Sequence, residues 1–253
     1  MNNSRLDYLC SSILITIITS LFSFSLLVAS NNDMIAIFTK GKGDVKIKQS
    51  SNKKTISKPS KGQDLYDNDK VTTGKDGFAK YTYLDDGTEI KVHNNSEIYV
   101  RGAIKDRSII KQISVSEGVL KFEVEKQGGD EFTVITPTSV ASVKGTDFWL
   151  DCNGKNGDQF FGVSGRVSIQ NSISGRITQL TKNTAASSMP DGSVDLRPIT
   201  QSELNNLNNI EISSGEVQED DQNSNPDLNE DGKIELEFED GSGNTKTVII
   251  RYN

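Results

Sequence analysis

Between residues 34 and 188 the apolar side chains repeat with a period of two, in short runs. Leu120, Phe122 and Val124 alternate with Lys121, Glu123 and Glu125, and Ala79, Tyr81 and Tyr83 alternate with Lys80 and Thr82. That period puts successive side chains on opposite faces of a strand, one dry and one wet. Turn clusters separate the runs, the clearest being Gly74-Lys-Asp-Gly77, Asp85-Asp-Gly87 and Gly128-Gly-Asp130. The pattern predicts strands over 44–49, 70–73, 78–84, 88–93, 97–101, 109–115, 119–125, 131–136, 139–144, 146–152, 159–163, 167–170 and 176–180. Regular strand–turn spacing without helical periods restricts the chain to an all-β fold. The expected form is a single multi-stranded antiparallel sandwich or roll, or a solenoid-like β domain, with a short helix and a C-terminal β-hairpin.

The centre of this region is residues 132–150. Phe132 and Val134 alternate with polar neighbours, and Pro137, which has no N–H, is expected at a strand end or sheet edge. Val140, Val143, Phe148 and Leu150 supply the next apolar groups, with Gly145 giving the backbone freedom for a turn. The run Thr136-Pro-Thr-Ser-Val-Ala-Ser-Val-Lys-Gly-Thr-Asp-Phe148 closely resembles the signature of the FecR domain, a periplasmic all-β module. Ser139 stands where that signature usually has alanine. Asn68-Asp-Lys-Val-Thr-Thr-Gly74, Ala79, Asp85-Asp-Gly-Thr88, Asn95-Ser96 and Ile98 match the family's usual order of turns. The resemblance implies a FecR-type β domain from about residue 36 to 185, with no enzyme activity and no cofactor.

Residues 1–30 read as a signal peptide. Arg5 lies in a short polar leader, residues 13–28 are apolar, and Val28-Ala-Ser30 offers small residues for cleavage after Ser30. The alternative is an uncleaved membrane anchor. Of the two cysteines, Cys10 precedes the apolar run and does not suit a lipid anchor, and Cys152 alone forms no intrachain disulfide. Cys152 reads as a small apolar residue in or beside a strand.

The 253 residues carry a net charge of −7, distributed unevenly. Residues 40–61 hold Lys40, Lys42, Lys46, Lys48, Lys53, Lys54, Lys58 and Lys61 against Asp44 alone. This stretch reads either as an edge strand protected by lysines or as a surface for anionic headgroups or an acidic partner. Residues 216–240 hold eleven acids against Lys233, a local charge of −10, leaving +3 on the rest, so the tail has a basic counterpart in 40–61.

After residue 199, Thr200-Gln-Ser-Glu203 is a capping box, predicting a short helix over about 201–208 and then an acidic linker to 226. Residues 227–253 form a third region. Asp227, Asn229 and Asp231 occupy positions one, three and five of a calcium-type loop, Gly232 the sixth, and the Lys233 carbonyl would be the next ligand. Phe238 stands at position twelve in place of the expected bidentate glutamate; Glu219, Asp220, Asp221 or Glu235 could supply the missing carboxylate. The other reading of this loop is an acidic turn that binds nothing firmly. Downstream, pairing Ile234 with Ile250 and Leu236 with Val248 gathers the apolar groups of a hairpin on one face.

His93 is the only histidine and reads as a surface turn residue after a strand, so no Ser–His–Asp or Cys–His arrangement can be built without it. No glycine-rich phosphate loop opens a helix, and an exported acidic chain does not suit nucleic acid. The chain therefore reads as a non-enzymatic, periplasmic or secreted envelope protein that recognises another protein, an outer-membrane receptor among the candidates. It would touch a membrane only through an uncleaved leader. FecR-type signalling proteins place a cytoplasmic helical segment ahead of the membrane; only about a dozen residues precede the apolar run here. A stand-alone relay or scaffolding module is thus expected, with a calcium-stabilised structural or adhesive protein, or a wall-polysaccharide-binding module, as alternatives.

Overall fold

The computed structural model describes residues 33–215 except 107, 129, 154 and 155, together with the backbone of 233–239 and 245–251. The leader over 1–30 lies outside the described residues. Among those described, no helix is long and apolar enough to cross a membrane.

The chain begins with β1 (Met34–Lys42), β2 (Val45–Lys48), β3 (Thr55–Ser57), β4 (Gln63–Tyr66) and β5 (Asp69–Thr73). It continues through β6 (Phe78–Tyr83), β7 (Glu89–Val92), β8 (Glu97–Lys105) and the long β9 (Ser108–Val124). Then follow β10 (Phe132–Ile135), β11 (Ser139–Val143), β12 (Thr146–Asn153) and β13 (Gly157–Gly162). The last strands of this body are β14 (Arg166–Asn171), β15 (Ile177–Thr181), β16 (Thr184–Ser188) and β17 (Val194–Pro198), followed by α1 (Gln201–Ser214).

Hydrogen-bonded ladders sort these strands into two layers. The first is ordered β4-β1-β6-β7-β9-β12-β13-β16-β17. The second is ordered β3-β2-β5-β8-β9-β10-β11-β14-β15. β9 belongs to both, so all seventeen strands form one network. Its residues up to Glu117 pair with β8, and Gly118 onward pairs with β12. Gly118 makes the crossing possible: at φ +118 a Cβ would fall 2.0 Å from Ser96 Oγ. The predicted strands 109–115 and 119–125 are therefore one continuous strand bent between layers.

The fold is all-β as expected, and of the sandwich, roll and solenoid forms it takes the two-layered one; the strands are not all antiparallel, because one ladder differs in sense. β10 runs parallel to β9, pairing Val134 with Ile113. The chain leaves β9 in the first layer and returns to the second, so it re-enters beside the first half of β9 in the same direction.

The core lies between the layers. Phe122 stacks on Phe148 with centroids 4.6 Å apart, and Phe132 meets Phe122 edge-on at 6.0 Å. Tyr83 is buried, and its hydroxyl donates to the Arg101 and Gln112 carbonyls of β8 and β9. An isolated polar group there would cost about 1–3 kcal/mol.

At the C-terminal end, β18 (Lys233–Glu239) and β19 (Thr245–Arg251) pair antiparallel in the predicted register, Ile234 with Ile250 and Leu236 with Val248.

Candidate recognition surface

Register partners across a sheet share a face. Counted across the outer face of the first layer, one register line runs Lys40, Lys80, Lys91, Lys121, Trp149, Phe161, Ala185, Arg197. It joins β1, β6, β7, β9, β12, β13, β16 and β17. A bulge in β1 between Phe38 and Lys40 switches the chain from the core-facing Phe38 to Lys40 on this line. Strand alternation alone would leave these side chains in water. Trp149 and Phe161 are nevertheless only 4% and 6% exposed, because α1 lies over them.

α1 starts with the predicted capping box. Thr200 accepts from the Glu203 N–H while the Glu203 side chain accepts from the Thr200 N–H. The helix runs on to Ser214, past the predicted 208, because Ile210 and Glu211 find partners on the sheet. It ends at Gly215 in the left-handed region. Along the helix, Glu203, Leu207 and Glu211 stand four residues apart and so share one face. Each meets the register line in turn. Arg197 donates to both Glu203 oxygens at 2.9 and 2.6 Å. Leu207 packs in the cluster of Trp149, Phe161 and Ala185, flanked by Val119, Ile199 and Ile210. Glu211 Oε1 accepts from Lys91 at 2.8 Å and Lys121 at 3.2 Å. Finally, Lys40 and Lys42 donate to the Gly215 and Ser213 carbonyls, offsetting the negative end of the helix dipole. Two lysines of the basic stretch 40–61 are thus committed to α1. Lys53, Lys54, Lys58 and Lys61 flank β3, which among the described residues pairs with β2 alone and forms the edge of the second layer.

The electrostatics follow from burial. Burial disfavours the Lys91 ammonium, but hydrogen bonds to Glu211 and Glu123 outweigh it and hold Lys91 above the usual lysine range. Burial likewise raises Glu123, and Lys91 and Lys121 overcome it and lower that carboxyl. The Arg197 guanidinium holds Glu203 down at about 2. Lys121 also lies 5.6 Å from the Trp149 ring centroid.

His93 corrects the sequence reading. It is 2% exposed, not a surface turn residue, and stacks on Trp149 at 5.0 Å with Phe78 at 5.3 Å on its other contact. The bend at 94–95 follows it, but Trp149 of β12 and Phe78 of β6 pack on the ring.

The signature residues serve the fold. Thr136 and Ser139 donate to Asp158 Oδ2 at 2.5 and 2.6 Å, and Thr138 donates to the same oxygen. Asp158 is fully buried on β13, and its Oδ1 has no hydrogen-bond partner among the described residues. Pro137 sits between β10 and β11, at a strand end. Gly145, at φ +137, turns the chain from the second layer into the first, and a Cβ there would meet Lys126 Cα at 3.1 Å. In the second turn motif, Asp85 accepts from the Ile109 N–H and Lys111, and Asp86 from Gln127 and the Thr88 N–H, fastening the start of β9. Cys152 is buried in β12, and burial, with the Asp158 charge beside it, pushes its thiol up.

Of the proposed calcium ligands, Asp227, Asn229 and Asp231 lie outside the described residues; Lys233 is the first residue of β18. Among the described residues no group of three or more His, Cys, Asp or Glu could hold a metal ion.

A search of the curated proteins finds no match. Among solved structures, similarity is found to two crystal structures, at 2.50 and 1.65 Å, of a Parabacteroides distasonis protein provisionally described as an anti-sigma factor. Both are 17% identical, with TM-scores of 0.46 and 0.45, and cover 54% of this chain and 62% of theirs. This chain therefore spans less than two thirds of those neighbours. Residues 69–168 match the family model described as FecR protein, a stretch that takes in the signature run, the Asp85–Thr88 turn, Gly118 and Asp158. The similarity to the FecR family model thus extends over residues 69–168, less than half of the chain.

Proposed function

We propose that this protein is an exported, non-catalytic recognition module of the cell envelope, relaying or scaffolding through protein–protein contact. The FecR domain over 69–168 carries the reading, since the family is regulatory and envelope-associated. Two features support it. The signature hydroxyls are spent on Asp158 inside the fold, and the outer face of the first layer carries a register line of lysines, aromatics and arginine beneath α1. The partner is an envelope protein, with an outer-membrane receptor the leading class. Affinity capture from envelope extract on the mature chain is the test. A receptor recovered and lost on high-salt washing supports the reading; a wall polymer as sole ligand would replace it with polysaccharide binding. Amino-terminal sequencing decides export, cleavage after Ser30 being expected and a retained Met1 in the membrane fraction showing an anchor.

A second reading, a calcium-stabilised envelope protein, rests on the Asp227, Asn229, Asp231 and Gly232 spacing.

A further inference from the structure

The line from Lys40 to Arg197 has the dimensions of a helix seat. Eight strands about 4.8 Å apart span about 34 Å. A fourteen-residue helix is about 21 Å long, and the arginine and lysine side chains reach the remainder. α1 fits this seat in charge order and covers its centre, but leaves open space beside it. Only Leu207, Glu211 and Ser214 of the helix are buried, and Asn205, Asn206, Asn208 and Asn209 make up much of its remainder. A groove of about 490 Å³ runs beside it, lined by Val119, Phe161, Leu207 and Ile210, with Asp151 and Gln159 on the sheet side. Glu211 Oε2 is buried without a hydrogen bond among the described residues, so even the central carboxylate is half-satisfied.

We propose that the line Lys91–Lys121–Trp149–Phe161–Arg197 is a docking site for a helix of a partner protein, and that α1 holds it in cis as an exchangeable occupant. The lysines dictate the partner's chemistry. Uncovering Lys91 and Lys121 removes the Glu211 carboxylate that accepts from both of them. An incoming helix must return a carboxylate there, a large apolar residue one turn earlier over Trp149 and Phe161, and a second carboxylate one turn before that for Arg197. The recognised pattern is acid, apolar, acid at i, i+4 and i+8, with further bulk on the groove side where α1 offers asparagine. Release breaks the Arg197, Lys91 and Lys121 contacts to the helix and the Lys40 and Lys42 contacts to its C-terminal carbonyls.

This deepens the recognition role proposed above and rests on it. The experiment reads the surface alone, so its failure leaves the capture result standing. The mature chain with Glu203→Gln, Leu207→Ala and Glu211→Gln weakens α1 without touching the sheet. The probe is a synthetic peptide of residues 199–215 carrying Asn206→Leu, which contains no tryptophan. Trp149 is the sole tryptophan, so its emission reports the seat directly. The weakened chain should bind the peptide at least tenfold more tightly than the wild-type chain, because the tethered helix no longer competes. A peptide with both glutamates changed to glutamine should lose at least tenfold. Should the triple variant fail to fold by circular dichroism, Leu207→Ala alone serves, since it keeps both ion pairs. No binding to the weakened chain, equal binding of the neutral peptide, or doubling of the chain's mass by exchange of α1 between copies would each overturn the assignment.

Discussion

Asp158 offers the sharpest test of what the signature run does. Three hydroxyls, from Thr136, Thr138 and Ser139, converge on Oδ2, while Oδ1 is buried with no hydrogen bond among the described residues. Hydrogen bonds to a charged acceptor contribute about 1.5–3 kcal/mol each, but three on one oxygen do not add fully. Thr136 and Thr138 also have carbonyls within 3.3 Å, Ser139 O and Ser188 O, to which they can turn when the carboxylate is gone. Asp158→Ala should therefore cost about 3–4 kcal/mol, a large part of the roughly 5–15 kcal/mol of a stable domain. At a denaturant slope of about 2 kcal/mol/M, the urea midpoint falls by about 1.5–2 M. Asp158→Asn has a different outcome. The amide oxygen keeps the three donors and the cost of burying a charge disappears, which offsets the roughly 1–3 kcal/mol of an amide N–H2 left without an acceptor in the place of Oδ1. The midpoint should then fall by less than about 1 M. Trp149 emission and far-UV circular dichroism follow the transition. An asparagine variant as unstable as the alanine one would refute the reasoning, because the charge and not the acceptor oxygen would be what the site requires.

Other perturbations probe other parts. Gly145→Val puts a β-branched residue at φ +137 against Lys126 and should cost about 2–3 kcal/mol; an unchanged melting temperature removes the case for this corner. Lowering pH should loosen α1. Glu203 is held near 2, so its contribution is complete above the unfolded value of about 4.3 and fades as pH falls toward 2. After screening by solvent this amounts to about 1 kcal/mol, read as easier acrylamide quenching of Trp149 with the β signal retained; quenching constant between pH 5 and 2 would contradict it. Calcium calorimetry on the mature chain should give a dissociation constant on the order of 10⁻⁴ to 10⁻³ M, abolished by Asp231→Ala. Equal heats from both proteins, or none from either, end that proposal.

Much of the sandwich is legible in residue order because alternation and turn residues are local. Phe122 and Val124 announce their face unaided, and Thr200 with Glu203 announces a helix start. What is missed depends on the third dimension. Gly118 reads as a break between two strands, yet its lack of a Cβ lets one strand bend past Ser96. Trp149, Phe161 and His93 sit at positions that alternation or turn context assigns to solvent, since a strand pattern says which face a residue is on and nothing about what covers it. The docking line is likewise invisible in order: Lys40, Lys91, Trp149 and Arg197 are neighbours only through register. Asp158 follows Asn156-Gly157 and passes for a turn acid until the hydroxyls of 136–139 are brought to it.

The passage of β9 through both layers has a mechanical consequence. The layers of an ordinary sandwich are joined by side-chain packing and by loops, which can flex. Here the joint is itself a strand, and to withdraw β9 means breaking its ladders with β7, β8, β10 and β12 together. A pull exerted on the helix side of the molecule is borne through covalent chain to the opposite face, so the two faces answer as one rigid lever, and the amides of β9 should be the last to exchange with deuterium.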